Sequence, residues 1–334
     1  MATLTQSGWF AGLPEVVAAT LTLRDAERTG RRWESRGIAV NEEQRNEMGS
    51  RRGFIAALDQ SGGSTPKALA LYGIPENAYG NEVQMFDLIH QARARLIESP
   101  SFSGDKILAT ILFEQTMDRT INGEDTVAFL WKQKHIVPFV KVDQGLADVQ
   151  YGVQLMKPMT KLDSLLERAV EKGIFGTKMR SFIQDPNDGG IRAIVEQQFD
   201  SAEAIAQHDL MPIIEPEVSI KCPDKGTADR LLVAALQAKL DELPDDRQVM
   251  LKLTLPDEDN LYAPLIDHPR VLRMVALSGG YSLAQSSDKL AHNHRLIASF
   301  SRALTEGLTV DQTEAEFDQK LKSNIDEIYE ASVT

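Results

Sequence analysis

The passage LMPIIEPEV (210–218), ADRLLVAALQAKLDEL (228–243), QVMLKLTL (248–255) runs from a brief β-rich apolar segment through a helix to a second such segment. The middle piece repeats its apolar residues at the three-to-four spacing of an amphipathic helix, while the flanking pieces are short, apolar and end in polar or charged residues. Strand, helix, strand in that order is the crossover unit of a parallel sheet, and such crossovers are right-handed.

The same unit recurs along the chain. Strand segments also read at 53–59, 106–114, 136–143, 173–180, 271–280 and 297–304. Helical spacing fills most of the intervals, at 81–99, 124–134, 161–172, 193–209 and SLAQSSDKLAHNHRL (282–296). Eight such units predict an α/β chain closed into a (β/α)₈ TIM barrel rather than an open sheet. The sixth interval, PDEDNLYAPLIDHP (256–269), has room for only a short helix. A single domain is expected: an N-terminal helical extension over about 1–50 with a helix near 14–35, the barrel over about 51–305, and a C-terminal helical tail over about 306–334.

Composition bounds the function. Of 334 residues, 42% are hydrophobic and 25% charged, and no stretch reaches the apolar length of a membrane span. Lys and Arg number 36 against 49 Asp and Glu, a net charge of -13 that argues against a nucleic-acid binder. The start MATLTQSGWF lacks the basic and apolar parts of a secretory signal, and one cysteine, Cys222, allows no internal disulfide, so a cytoplasmic protein is expected. Positive charge for an anionic ligand must then be local.

Charge inside the strands is the unusual feature. Residues two apart in a strand share a face, so Lys141 with Asp143, Lys178 with Arg180, and Glu215 with Glu217 point together, each at the C-terminal end of its strand. Asp59 and Lys252 complete the set. Barrel interiors are ordinarily Val, Ile and Leu, and active sites lie at the C-terminal ends of the strands. A buried ion-pair network that only holds register is the structural alternative, although such networks give little net stability.

Lys252 points to the reaction class. A lysine buried beside other cations loses its proton more readily, and a neutral amine attacks carbonyls. The iminium that results draws electrons from the adjacent C–C bond, and Glu215, Glu217 and Asp59 could shuttle the protons. The loop ALSGGYS (276–282), with Ser278, Gly279 and Gly280, and the loop SFSRAL (299–304), with Arg302, fall where barrels bind phosphate. The polar loop DQSGGSTPK (59–67) places Ser61 and Ser64 across the mouth. The two Gly-Gly loops, 276–282 and 59–67, together suit a ligand with a phosphate at each end. The six histidines form no metal-ligand pattern: only His292 and His294 are close, and on a helix they face different ways.

ALDQSGGS (57–64), VPFVKVDQGL (137–146), GTKMRS (176–181), PIIEPE (212–217), LKLT (251–254), ALSGG (276–280) and SFSRAL (299–304) occur in one order over about residues 50–305. With them the sequence resembles the class I, Schiff-base-forming fructose-1,6-bisphosphate aldolases, above all their microbial branch. The resemblance implies a lyase that cleaves fructose 1,6-bisphosphate reversibly to dihydroxyacetone phosphate and glyceraldehyde 3-phosphate, with no metal and no cofactor. It implies that Lys252 forms the Schiff base at C2, with Glu215 its acid and base. Lys178 would assist dehydration, and Asp59 would take the C4 hydroxyl proton. Ser278, Gly279 and Arg302 match residues that hold the C1 phosphate; Ser61, Ser64 and Lys141 match those around the C6 phosphate; Arg180 and Glu217 match a neighbouring support shell. Partners are sugar phosphates, and family precedent for tetramers allows a homo-oligomer. The chain departs from the animal pattern in having DQSGGS, KLT and Glu114-Gln115, in a final loop two residues shorter, and in lacking the C-terminal tyrosine. Fructose 1-phosphate or sedoheptulose bisphosphate as substrate stays open, as do another Schiff-base aldolase and a barrel that binds sugar phosphates without turnover.

Overall fold

The structure, a computed structural model, describes residues 38–334; the helix expected near 14–35 lies outside the described residues. From Ala39 the chain forms one compact unit. Its strands are β1 Phe54–Leu58, β2 Ile107–Leu112, β3 Val137–Lys141, β4 Gly176–Ile183, β5 Met211–Val218, β6 Val249–Thr254, β7 Val271–Leu277 and β8 Ile297–Phe300. Each pairs in parallel with the next, and β8 returns to β1 with Ser299 opposite Ile55, so the sheet closes into the expected barrel. Strands covered on both faces read as nearly continuous apolar runs. FIAAL, ILATIL and VMLKLT are accordingly buried at every residue.

The helices longer than a single turn are α1 Ile38–Ser50, α2 Thr65–Leu71, α3 Glu82–Glu98, α4 Thr126–Lys134, α5 Leu162–Lys172, α6 Asp188–Ala206, α7 Lys225–Glu242, α8 Leu283–Ala291 and α9 Glu314–Ser332. Polar side chains at Asn81, Asp125, Asn187, Asp224 and Ser282 accept from first-turn amides and fix where α3, α4, α6, α7 and α8 begin. Between β6 and β7 only the single turn Ala263–Ile266 forms, as the spacing implies. Two boundaries differ from expectation. The segment 59–67 becomes helical at Thr65, because Pro66 suits a first turn whose N–H groups have no partner anyway. At the other, α8 stops at Ala291, so His292 and His294 lie beyond it.

Apolar and charged layers divide the barrel lumen. Ile55, Val137, Phe139, Ile213, Met250 and Val275 fill its lower part together with Met48 of α1. Arg273 holds α1 there, donating to the carbonyls of Met48 (2.8 Å) and Arg51 (3.0 Å) at the helix end. A larger cluster packs the outer helices against the sheet. Above the apolar layers, toward the strand C-termini, the inward positions turn charged.

Candidate active site

Eight charged side chains from five strands and the residues just beyond them converge at that end. Lys252 of β6 lies 3.0 Å from one oxygen of Glu215 (β5), whose other oxygen is 2.8 Å from Lys178 (β4). Lys178 also meets Asp59, just past β1, at 2.6 Å. The result is an alternating file, Lys252, Glu215, Lys178, Asp59, with Lys178 at 2% and Lys252 and Glu215 each at 3% exposure. Beside it Lys141 donates to the side chain (2.6 Å) and the carbonyl (2.9 Å) of Asp143, and Asp143 accepts from the Arg180 amide. Arg180 pairs with Glu217.

These neighbours set the ionisation of the file. Burial alone would raise the Asp59 carboxyl, but the charges of Lys178 and Lys252 outweigh it and hold the group well below the usual carboxylate range. Burial would likewise depress Lys178, yet Asp59 and Glu215 keep its ammonium well above the ordinary lysine range. At neutral pH Asp59 is therefore an anion and Lys178 a cation.

The file forms the floor of a cavity of about 560 Å³, within the range of small-molecule sites. Ser61, Ser64, Lys141, Arg180, Glu217, Ser278, Gly279 and Arg302 line it together with Asp59, Lys178, Glu215 and Lys252. Gly280 is exposed at the rim next to them, where a Cβ would come within 3.3 Å of Ile220 Cδ1 and 3.7 Å of Arg302 Nη2. The N-terminus of α8 is taken up by the protein, since Ser282 caps it and Glu306 accepts the Leu283 amide. Anion donors at this end are therefore Ser278, the loop amides and Arg302, which no described carboxylate pairs. Among the described residues, no group of His, Cys, Asp and Glu is placed to hold a metal ion.

The sequence profile of the family described as fructose-bisphosphate aldolase class-I matches residues 43–253. The class 1 fructose-bisphosphate aldolase of Synechocystis is 58% identical over 89% of this chain and 99% of its own length. Those of Clostridium acetobutylicum and Porphyromonas gingivalis are each 54% identical over 88% of this chain and the whole of theirs. The chain belongs to the class I fructose-bisphosphate aldolases. A solved fructose-bisphosphate aldolase from Plasmodium falciparum, in complex with TRAP and a small molecule inhibitor, shares the fold at a TM-score of 0.70 over 90% of this chain and 96% of that one, with 20% identity.

For a class I aldolase the floor can do three things. Glu215 touches two ammonium groups and can pass a proton either way. Lys178 places a fixed positive charge against both carboxylates, and the burial keeps competing water few. Sequence reasoning missed several wall residues: Lys67, Ser299 and Ser301 line the cavity, as does Gln60. Lys67 lay within the 59–67 loop, but no periodicity marked it. Behind the wall Arg93 of α3 is 3% exposed and no described carboxylate pairs with it; burial pushes its guanidinium down to about 10, against the opposing pull of Asp59, so it stays charged.

Proposed function

We propose that this single-domain barrel catalyses the reversible cleavage of fructose 1,6-bisphosphate into dihydroxyacetone phosphate and glyceraldehyde 3-phosphate through a Schiff base on Lys252. The observation that carries the reading is the buried file of alternating charge under a cavity rimmed by hydroxyls and by Arg302, which no described carboxylate pairs. Glu215, 3.0 Å from the Lys252 nitrogen, takes its proton and frees the lone pair that attacks the C2 carbonyl. The proton returns to the carbinolamine hydroxyl, which leaves as water, while Lys178 offsets the negative charge on Glu215. Asp59, an anion at neutral pH, accepts the C4 hydroxyl proton. The C3–C4 electron pair then flows into the iminium, giving the aldehyde and an enamine. Protonation of the enamine at C3 and hydrolysis of the imine release the second product.

Ser278, Gly279 and Arg302 hold the C1 phosphate at one side of the mouth, and Ser61 and Ser64 with Lys141 the C6 phosphate at the other. Arg180 and Glu217 brace the wall between. That reaction would serve glycolysis or gluconeogenesis in the cytoplasm.

Trapping tests the reading. The protein is incubated with dihydroxyacetone phosphate and EDTA, reduced with borohydride and mapped by peptide mass. An adduct on Lys252, absent from Lys252→Met, is expected, and Glu215→Gln should slow cleavage by about 10²- to 10⁴-fold. No adduct, under conditions that trap a positive-control aldolase, would leave Lys252 a structural ion-pair member and sink the proposal.

A further inference from the structure

The buried Arg93 has no ion pair among the described residues, yet it is not idle. One terminal nitrogen donates to Thr116 Oγ1 (2.7 Å), and the other to both the carbonyl (2.7 Å) and the side-chain oxygen (3.1 Å) of Gln60. Gln60 lies between Asp59 and Ser61 in the loop after β1. With its oxygen engaged by Arg93, its amide orientation is fixed, and its Nε2 donates to Ser301 Oγ at 2.6 Å. Ser301 lies just past β8, next to Arg302, in the cavity wall. Its oxygen is occupied as an acceptor, and no described residue accepts its proton.

From this connectivity we infer that Gln60 and Arg93 are positioning residues: they turn the Ser301 hydroxyl outward as a hydrogen-bond donor to the phosphate held by Arg302. The inference rests on the reading that a phosphate binds at the Arg302 end. A hydroxyl that accepts from an amide polarised by a cation is a better donor than a free one. The relay also ties the loop after β1 to the loop after β8, so the two loops that hold opposite ends of the substrate share one anchor. Only an amide serves in the middle of it. Its oxygen must accept from Arg93 and its nitrogen must donate to Ser301; a carboxylate could do the first but not the second, and would draw the serine proton to itself.

Gln60→Glu separates this role from a structural one. The substitution keeps the shape and gives Arg93 an anionic partner, so the Tm should hold or rise. KM for fructose 1,6-bisphosphate and Kd for inorganic phosphate, both measured by titration, should nevertheless increase about tenfold, the loss of one hydrogen bond to a charged group. Ser301→Ala should raise both by a similar factor, and adding Gln60→Glu to Ser301→Ala should change little more. If the two substitutions multiply instead, the new carboxylate repels phosphate directly and the relay is wrong; unchanged KM and Kd in Gln60→Glu would also overturn it. Trapping of the unmutated protein on Lys252 is run alongside. Should it fail, the aldolase reading falls, and the phosphate Kd values alone still decide the relay.

Discussion

Gly279 is a residue whose backbone, not its chemistry, matters. Its φ is +62°, and a Cβ there would come within 2.7 Å of Ile220 Cγ2 and 3.2 Å of Thr254 Cγ2. An L-residue in this conformation is strained by about 1–3 kcal/mol, and the contact with Ile220 would push the loop away from its seat. Gly279→Ala should therefore raise KM for the bisphosphate several-fold at nearly unchanged kcat, while Lys252 can still be trapped at saturating ligand; steady-state kinetics beside the borohydride assay checks both. An equal KM would mean that the loop amides do not hold phosphate. At this scale the charged floor was legible in the sequence, because a strand alternates faces and an ion has no ordinary place in a barrel lumen. Gln60, Ser301 and Arg93 were not. Amides and hydroxyls carry no periodic signal, and Arg93 in HQARARL reads as one more basic position on a helix.

Among the elements, α7 is fastened to the end of β6 by a buried pair of its own. Lys225 donates to Asp229 (2.6 Å) and to the Leu255 carbonyl (2.8 Å), with Asp229 wholly buried, and the Tyr262 hydroxyl donates to the Thr254 carbonyl at 2.8 Å. Burial pushes the Asp229 carboxyl up despite Lys225, so the pair carries a desolvation cost that its attraction offsets only while both members remain. Lys225→Met should cost about 3–5 kcal/mol in urea unfolding, and the double variant Lys225→Met with Asp229→Leu should regain most of it. If the single and double variants unfold alike, the pair is not what holds α7 to this end of the barrel. The eight strands were legible because each is a short, β-rich and mostly apolar run that ends in polar or charged residues, and α3 to α7 because their apolar faces repeat at helical spacing. The helix α2 was hidden by its own opening: Gly62-Gly63-Ser64 reads as a turn and Pro66 as a breaker, though proline in a first turn starts a helix as readily as it ends one. The end of α8 was overrun because nothing in LAHNH marks a stop; the chain leaves the helix to let Asn293 meet the Asn260 amide at 2.9 Å.

For the molecule as a whole, the charged floor makes stability a function of pH. Asp59, held low chiefly by Lys178 against the opposing effect of burial, contributes stability that is complete above the unfolded value of about 3.9 and is lost as pH falls through the lower folded value. Lys178, held high by Asp59 and Glu215 against burial, contributes stability that is complete below about 10.4 and is lost as pH rises through the higher folded value. The two windows overlap across neutrality, so the floor should give a plateau between roughly pH 5 and 9 with a fall on either side. Other carboxylates, with net charge -13 overall, also titrate in acid, so the fall alone does not isolate the floor. Lys178→Met does: it removes the main attraction on Asp59 and leaves burial to raise that carboxyl. The variant should be less stable than the parent at neutral pH, and the gap should narrow as acid protonates the raised Asp59 of the folded variant while the folded parent keeps Asp59 ionised. Urea unfolding at steps from roughly pH 7 down to 3 measures that gap directly. Parallel curves with a constant gap would mean that Lys178 stabilises by packing alone, and the electrostatic file from Asp59 to Lys252 would lose its claim to hold the floor together.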